Sequence, residues 1–197
     1  MILYYTNSLK ANQLQPIALR SVGGYVSSSP VPNDFLSNVF SEITQLSIQS
    51  NRSETILIAL KNTTEKIADN IKIKFTLPEG VSIKLAIAAT TPTVDKCGDF
   101  VFEKIANSSA KPFNATFQSV ADGDIFSLGS LAAGKVLGLW FSKTIDKNAT
   151  KSKTCAELDA AYLAHTQPET VETINAVISW EDESSISSSN SNSQSGL

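Results

Sequence analysis

The chain carries one histidine, one methionine and two cysteines in 197 residues. Each scarcity removes a class of chemistry. A Ser-His-Asp arrangement has only His165 to act as its base, and no serine elbow accompanies it. Cys97, Cys155 and His165 supply three ligands where a structural zinc takes four, and no CxxC pair groups them. Neither GxGxxG nor GxxxxGK(S/T) occurs, so no phosphate cradle is encoded. These gaps leave no catalytic, cofactor-binding or metal residue to nominate, and the expectation is a protein that is not an enzyme and needs no cofactor.

Charge is thin as well. Charged residues make up 18% of the chain, the net charge is -3, and the 16 Lys and Arg are scattered rather than clustered. Binding a nucleic-acid backbone needs a concentrated basic surface, so no nucleic-acid partner is expected. No stretch approaches the roughly 20 apolar residues that span a bilayer. The opening MILYYTNSLK lacks the basic start and apolar run of a secretory signal. The expectation is therefore no membrane partner and synthesis in a reducing cytosol, where Cys97 and Cys155 stay free; a structural disulfide between them is the alternative.

What the chain does have is strand pattern. Thr55 to Val81 reads as two strands joined by a polar turn: Thr55 to Leu60 is apolar and β-branched, and Ile71, Ile73, Phe75 and Leu77 alternate with Lys72, Lys74 and Thr76. A sheet with one wet face needs a second layer, and Phe126 to Phe141, punctuated by Gly129 and Gly134, is expected to supply it. Leu46 and Ile48, then Ile83, Leu85 and Ile87, then Phe100, Phe102 and Ile105, and then Phe113, Ala115 and Phe117 add further strands. Closely spaced strands separated by Gly, Pro and Asn point to a mainly β fold of sandwich type.

Three domains of behaviour are expected along the chain. Residues 1–40 form an N-terminal arm, with a short helix beginning near Asp34 after the extended Pro30 and Pro32. An edge strand and loop of the same domain is the competing reading. Residues 41–183 form the sandwich, including a helix from Thr154 to about Ala164 and a closing strand from Val171 to Trp180. Residues 184–197, SSISSSNSNSQSGL, form a flexible tail with little apolar surface to offset ordering. Tyr4, Tyr5 and Tyr25 lie in the arm outside any obvious core stripe. Partner contact and simple packing are both open for them, and Pro30 and Pro32 join them as candidate contact residues.

Other features have bland readings. Asp95, Asp99, Asp122 and Asp124 lack calcium-loop spacing; capping turns is the ordinary role for such acids, with cation contact the alternative. Five Asn-x-Ser/Thr sequons, starting at Asn51, Asn62, Asn107, Asn114 and Asn148, are discounted as chance in a chain rich in Asn, Ser and Thr.

Two sets of segments carry a resemblance. KNTTEKIADNIKIKFTLPEGV and the later FSLGSLAAGKV are similar to immunoglobulin-like sandwich modules. SVGGYVSSSPVPNDFLSNVFSEIT, FEKIANSSAKPFNATF and LGSLAAGKVLGLWFSKTI resemble structural proteins of tailed bacteriophage particles of the crAss-like type. Ser142-Lys143 departs from the more basic pair expected there. The resemblance implies an immunoglobulin-like β-sandwich with one or two short helices and extended ends, serving as a non-enzymatic virion component of the neck, tail ring or head. It implies partners that are other virion proteins and copies of the chain itself, in a ring or multimer assembled in the host cytoplasm. Deleting residues 1–32 is then expected to weaken assembly and leave the sandwich folded. The alternative is a sandwich module that binds a host-surface glycan or protein.

Overall fold

The computed structural model describes residues 1–7, 21–31, 40, 53–77, 81–88, 92–94, 99–145 and 174–182. They form a mainly β protein of two antiparallel sheets, with no helix among them. The strands are β1 (Ile2–Asn7), β2 (Gly23–Pro30), β3 (Glu54–Lys61), β4 (Ala68–Thr76), β5 (Val81–Ile87), β6 (Thr93–Val94), β7 (Phe100–Lys104), β8 (Gln118–Val120), β9 (Ile125–Leu131), β10 (Val136–Ile145) and β11 (Asn175–Asp182). Eight of them run β6-β7-β2-β1-β3-β10-β5-β8 in one sheet, and β11-β4-β9 make the other. The expected helices near Asp34 and from Thr154, together with Leu46, Ile48, Cys97, Cys155, His165 and the 184–197 tail, lie outside the described residues.

The sequence of β3 explains its place. Ile56, Leu57, Ile58, Ala59 and Leu60 are all buried, so both faces of this strand are covered. An unbroken apolar run is what a two-sided strand requires. β4 has the opposite pattern: Ala68, Ile71, Ile73 and Phe75 are buried while Lys72, Lys74 and Thr76 are exposed, one dry face and one wet.

That difference corrects the hairpin expected from Thr55 to Val81. β3 belongs to the large sheet and β4 to the small one, so the polar stretch between them arches from one layer to the other. The segment Phe126 to Phe141 does the same. β9 pairs with β4, while β10 pairs with β3, Leu139 facing Ile58 and Phe141 facing Ile56. Each predicted segment thus gives one strand to each layer rather than forming a layer of its own.

Asn62 holds the two arches together. Fully buried, it donates from Nδ2 to the carbonyls of Lys66 and Leu131, both at 2.8 Å, and its Oδ1 accepts from the amide and hydroxyl of Thr64. Its own main chain accepts from Gly134 and donates to Lys135 across the second arch. Every polar atom of a buried amide is used, which is the condition for burying one. The same contacts close this sequon to modification in the folded chain.

Two apolar clusters result. The first fills the space between the sheets, with Ile58, Leu60, Ile73, Phe75, Leu85, Leu139 and Phe141 at its centre. Phe75 meets Phe126 and Phe141 edge-on at centroid distances of 5.9 and 6.2 Å, a favoured aromatic geometry. The second lies on the other side of the large sheet, where Leu57, Ala59, Ala86 and Trp140 pack with Val22, Phe102 and Ile105. β7 is four strands away from β10 in the sheet order, yet a Cβ on Gly138 of β10 would lie 2.6 Å from the Phe102 ring. The large sheet therefore rolls so that its β7 end covers its own back face. Phe113, Ala115 and Phe117, expected as a strand, are irregular chain leading to β8, and Ala115 and Phe117 pack on this second cluster.

β1 occupies the middle of this arrangement. It pairs with β3 from Ile2 opposite Lys61 to Tyr5 opposite Ile58, and with β2 on its other side. Both described stretches of residues 1–40 long enough to form strands are thus members of the large sheet, the first of them inside it. The closing strand expected up to Trp180 is found as β11, which runs on to Asp182.

Candidate functional site

Tyr4, Tyr5 and Tyr25 do not gather on one surface. Consecutive residues of a strand point to opposite faces, and accordingly Tyr5 packs on the cluster between the sheets while Tyr4 packs on the cluster behind the large sheet. Tyr25, on β2, is half-buried between Asn7 and Val101 in the strand register. Pro30 is exposed at the end of β2, opposite Tyr4, and Pro32 lies outside the described residues.

A different surface brings apolar residues together in water. On the outer face of the small sheet, Lys74 of β4 stands between Ile125 of β9 and Val177 of β11 in one cross-strand row. Ile125 is 61% exposed and Val177 66%. The next row is Ser127, Lys72 and Ser179, and beyond it Asn70 Nδ2 donates to Glu181 Oε1 at 3.0 Å. Neighbouring strands are about 4.8 Å apart, so Lys74, whose stem is aliphatic, stands between the two β-branched residues in the register. The period-two pattern of β4 signalled its wet face; the alignment of Ile125 and Val177 on that face depends on pairing with strands far away in the chain and had no sequence signal.

Phe113 is the most exposed large apolar residue among those described. It is 91% exposed, and its amide donates to the Glu103 carboxylate, so the turn that carries it is tied to β7. The phenylalanine is aligned with no core stripe, which its sequence setting among alternating aromatics concealed.

The buried charge lies elsewhere. Lys143 of β10 is buried, its Nζ 3.5 Å from Glu54 Oε2 and 5.0 Å from the centroid of the Phe40 ring. Burial pushes the Lys143 pKa below its ordinary value, opposed by the charge and hydrogen bond of Glu54. A lysine enclosed with its carboxylate partner and a ring face is a structural pair. Asp124 caps its own turn, Oδ2 accepting from the amide of Ala121, while Asp122 Oδ1 accepts from the amide of Leu77 just beyond β4. Among the described residues, no three His, Cys, Asp or Glu side chains are placed to hold a metal ion, and no helix is long and apolar enough to cross a membrane.

No protein-family model matches the chain, and no curated protein matches it.

Proposed function

We propose that this chain is a non-enzymatic structural protein that acts by assembling with copies of itself and with other proteins, in the setting its sequence resemblance implies, a tailed-phage particle. The observation that carries the reading is the Ile125, Lys74 and Val177 row, two exposed aliphatic side chains flanking a lysine on a sheet whose opposite face packs on the core. Exposed apolar residues aligned on a flat sheet face are suited to contact another protein surface. With β1 held inside the large sheet, the assembly surface in this reading is the sandwich itself rather than an N-terminal arm.

An immunoglobulin-like architecture is part of the proposal. It is supported by a four-plus-three core, β3-β10-β5-β8 facing β11-β4-β9, whose chain passes between sheets after β3, β4, β8, β9 and β10. In this reading β1, β2, β6 and β7 are an extension of the four-stranded sheet.

The test is the mass of the native protein by light scattering across a concentration series, wild type against the Ile125→Glu, Val177→Glu double variant. Assembly by wild type and its loss in the variant, with an unchanged urea midpoint, is the expected result. A wild-type monomer at every concentration that also fails to join particles defeats the reading. The alternative, a module that grips a host-surface glycan or protein, draws on Phe113, an aromatic displayed on a pinned turn. Glycan-array binding lost in Phe113→Ala would favour it.

A further inference from the structure

A cleft of about 450 Å³ opens beside the start of β10, in a part of the molecule that the assembly reading does not use. Its size falls within the range of about 300–1,000 Å³ typical of small-molecule sites. β6 and β7 contribute Val94 and Phe100, β10 contributes Val136 and Leu137, and Pro92 precedes β6 at the same opening. Gly138 helps form its floor, where the main chain of β10 accepts a hydrogen bond from Ala88 at 2.9 Å and the Phe102 ring leaves no room for a Cβ. The floor is therefore fixed by the sheet.

One lining residue is charged. Lys135 lies in the turn leading into β10, is exposed, and makes no ion pair among the described residues. Among the described lining residues there is no carboxylate to neutralise it. Val94, 58% exposed, lies on the opposite side of the sheet order from β10 and adds apolar surface that water covers. Apolar walls with a single cation select a molecule with a hydrocarbon body and one negative end, because a neutral chain leaves the cation unused and a polyanion leaves charge against hydrocarbon.

We propose that this cleft binds a small amphipathic carboxylate of the medium-chain fatty-acid type. Its chain lies against Val94, Phe100 and Val136, and its carboxylate meets the Lys135 ammonium. The site is independent of the sheet face used for assembly, so either can fail alone.

The test uses the full chain with decanoate and decanol, both below aggregation, followed by calorimetry and by methyl NMR of valine and leucine. Decanoate is expected to shift the Val94 and Val136 methyls. Lys135→Met is expected to weaken decanoate about tenfold, the scale of one lost charge-assisted contact, and to leave decanol unchanged. Val94→Glu, at an exposed position, is expected to weaken decanoate through repulsion while leaving the urea midpoint within error. Failure of decanoate to move those methyls overturns the proposal. So does equal binding of decanoate by wild type and Lys135→Met, which would leave only unselective apolar contact.

Discussion

Thr6 Oγ1 donates to the Leu57 carbonyl at 3.0 Å and accepts from the Gly23 amide at 3.2 Å, at the point where β1 stops pairing with β3. The Ser21 carbonyl takes over, accepting from the Leu57 amide, while the Ser21 amide donates to the Thr6 carbonyl. One hydroxyl thus lets three strands exchange partners without leaving a buried main-chain group unpaired. Replacing Thr6 with Val keeps the shape and strands two buried groups, so a loss of about 2–4 kcal/mol is expected. Thr6→Ser retains the hydroxyl and should cost about 1 kcal/mol for its missing methyl. Urea denaturation of the two variants gives the comparison; equal losses would mean that packing, not the hydroxyl, matters there.

Gly23 sits beside this junction at φ +90°, and a Cβ on it would fall 1.9 Å from the Glu103 carbonyl oxygen. Main chain cannot swing aside as a flexible side chain does. Gly23→Ala is expected to cost more than about 3 kcal/mol or to prevent folding. Gly129 has a similar φ of +78°, but a Cβ there would meet nothing within 4 Å. At that position only the backbone conformation is penalised, and Gly129→Ala should cost about 1–2 kcal/mol. Thermal melts of the pair separate steric conflict from left-handed strain.

Much of the strand content was legible because each strand's burial pattern is local. The alternation in β4 announces one covered face, and the structure bears it out; β5 keeps its alternation from Val81 to Leu85 but ends with Ala86 buried and Ile87 exposed, and β3, expected in a sheet with one wet face, is covered on both. Layer assignment was not legible. β3 and β4 are joined by an arch that Asn62 ties to the second one, its side chain reaching Leu131, 69 positions away. Nothing in KNTT distinguishes a turn that folds a chain back beside itself from one that carries it across a core. The same holds for the candidate interaction face. Lys74 was recognisable as solvent-facing, but its flanking residues come from β9 and β11, whose pairing is set by the whole sheet. Lys143, in the pair that departs from the pattern of the resemblance, is another example: its partner Glu54 begins a strand far away in sequence.

The Lys143–Glu54 pair gives the chain a pH signature. Burial lowers the folded-state pKa of Lys143 below its ordinary value of 10.5. Between the folded and unfolded values, the unfolded chain binds more protons than the folded one, so stability rises with pH across that interval. Below the folded value both states are charged, and the cost of burying the ammonium is present in full. Lys143→Met should therefore remove a rise in urea midpoint on the approach to pH 10.5. Glu54→Gln removes the contributions that oppose the shift and should start the rise at lower pH. Parallel titration of the wild type and the two variants isolates this lysine from other groups ionising in alkali. Identical slopes in wild type and Lys143→Met would show that Lys143 keeps an ordinary pKa.

Removal of residues 1–7 separates an appended arm from an integral strand. β1 joins β2 to β3, and its Leu3 and Tyr5 pack on one cluster while Tyr4 packs on the other. An arm that only lies on a surface can be cut away with little change in the stability of what remains. Loss of β1 instead leaves β2 and β3 with unpaired main-chain groups and opens both cores to water. The expected cost exceeds about 5 kcal/mol, comparable to the whole stability of many domains, so the shortened chain should lack a cooperative urea transition. Amide exchange supplies the local check: Ile58 and Leu60 on β3 should lose protection along with β2. Retention of a wild-type midpoint would mean that β1 contributes no more than an arm does, and would return the search for an assembly contact to the N-terminus.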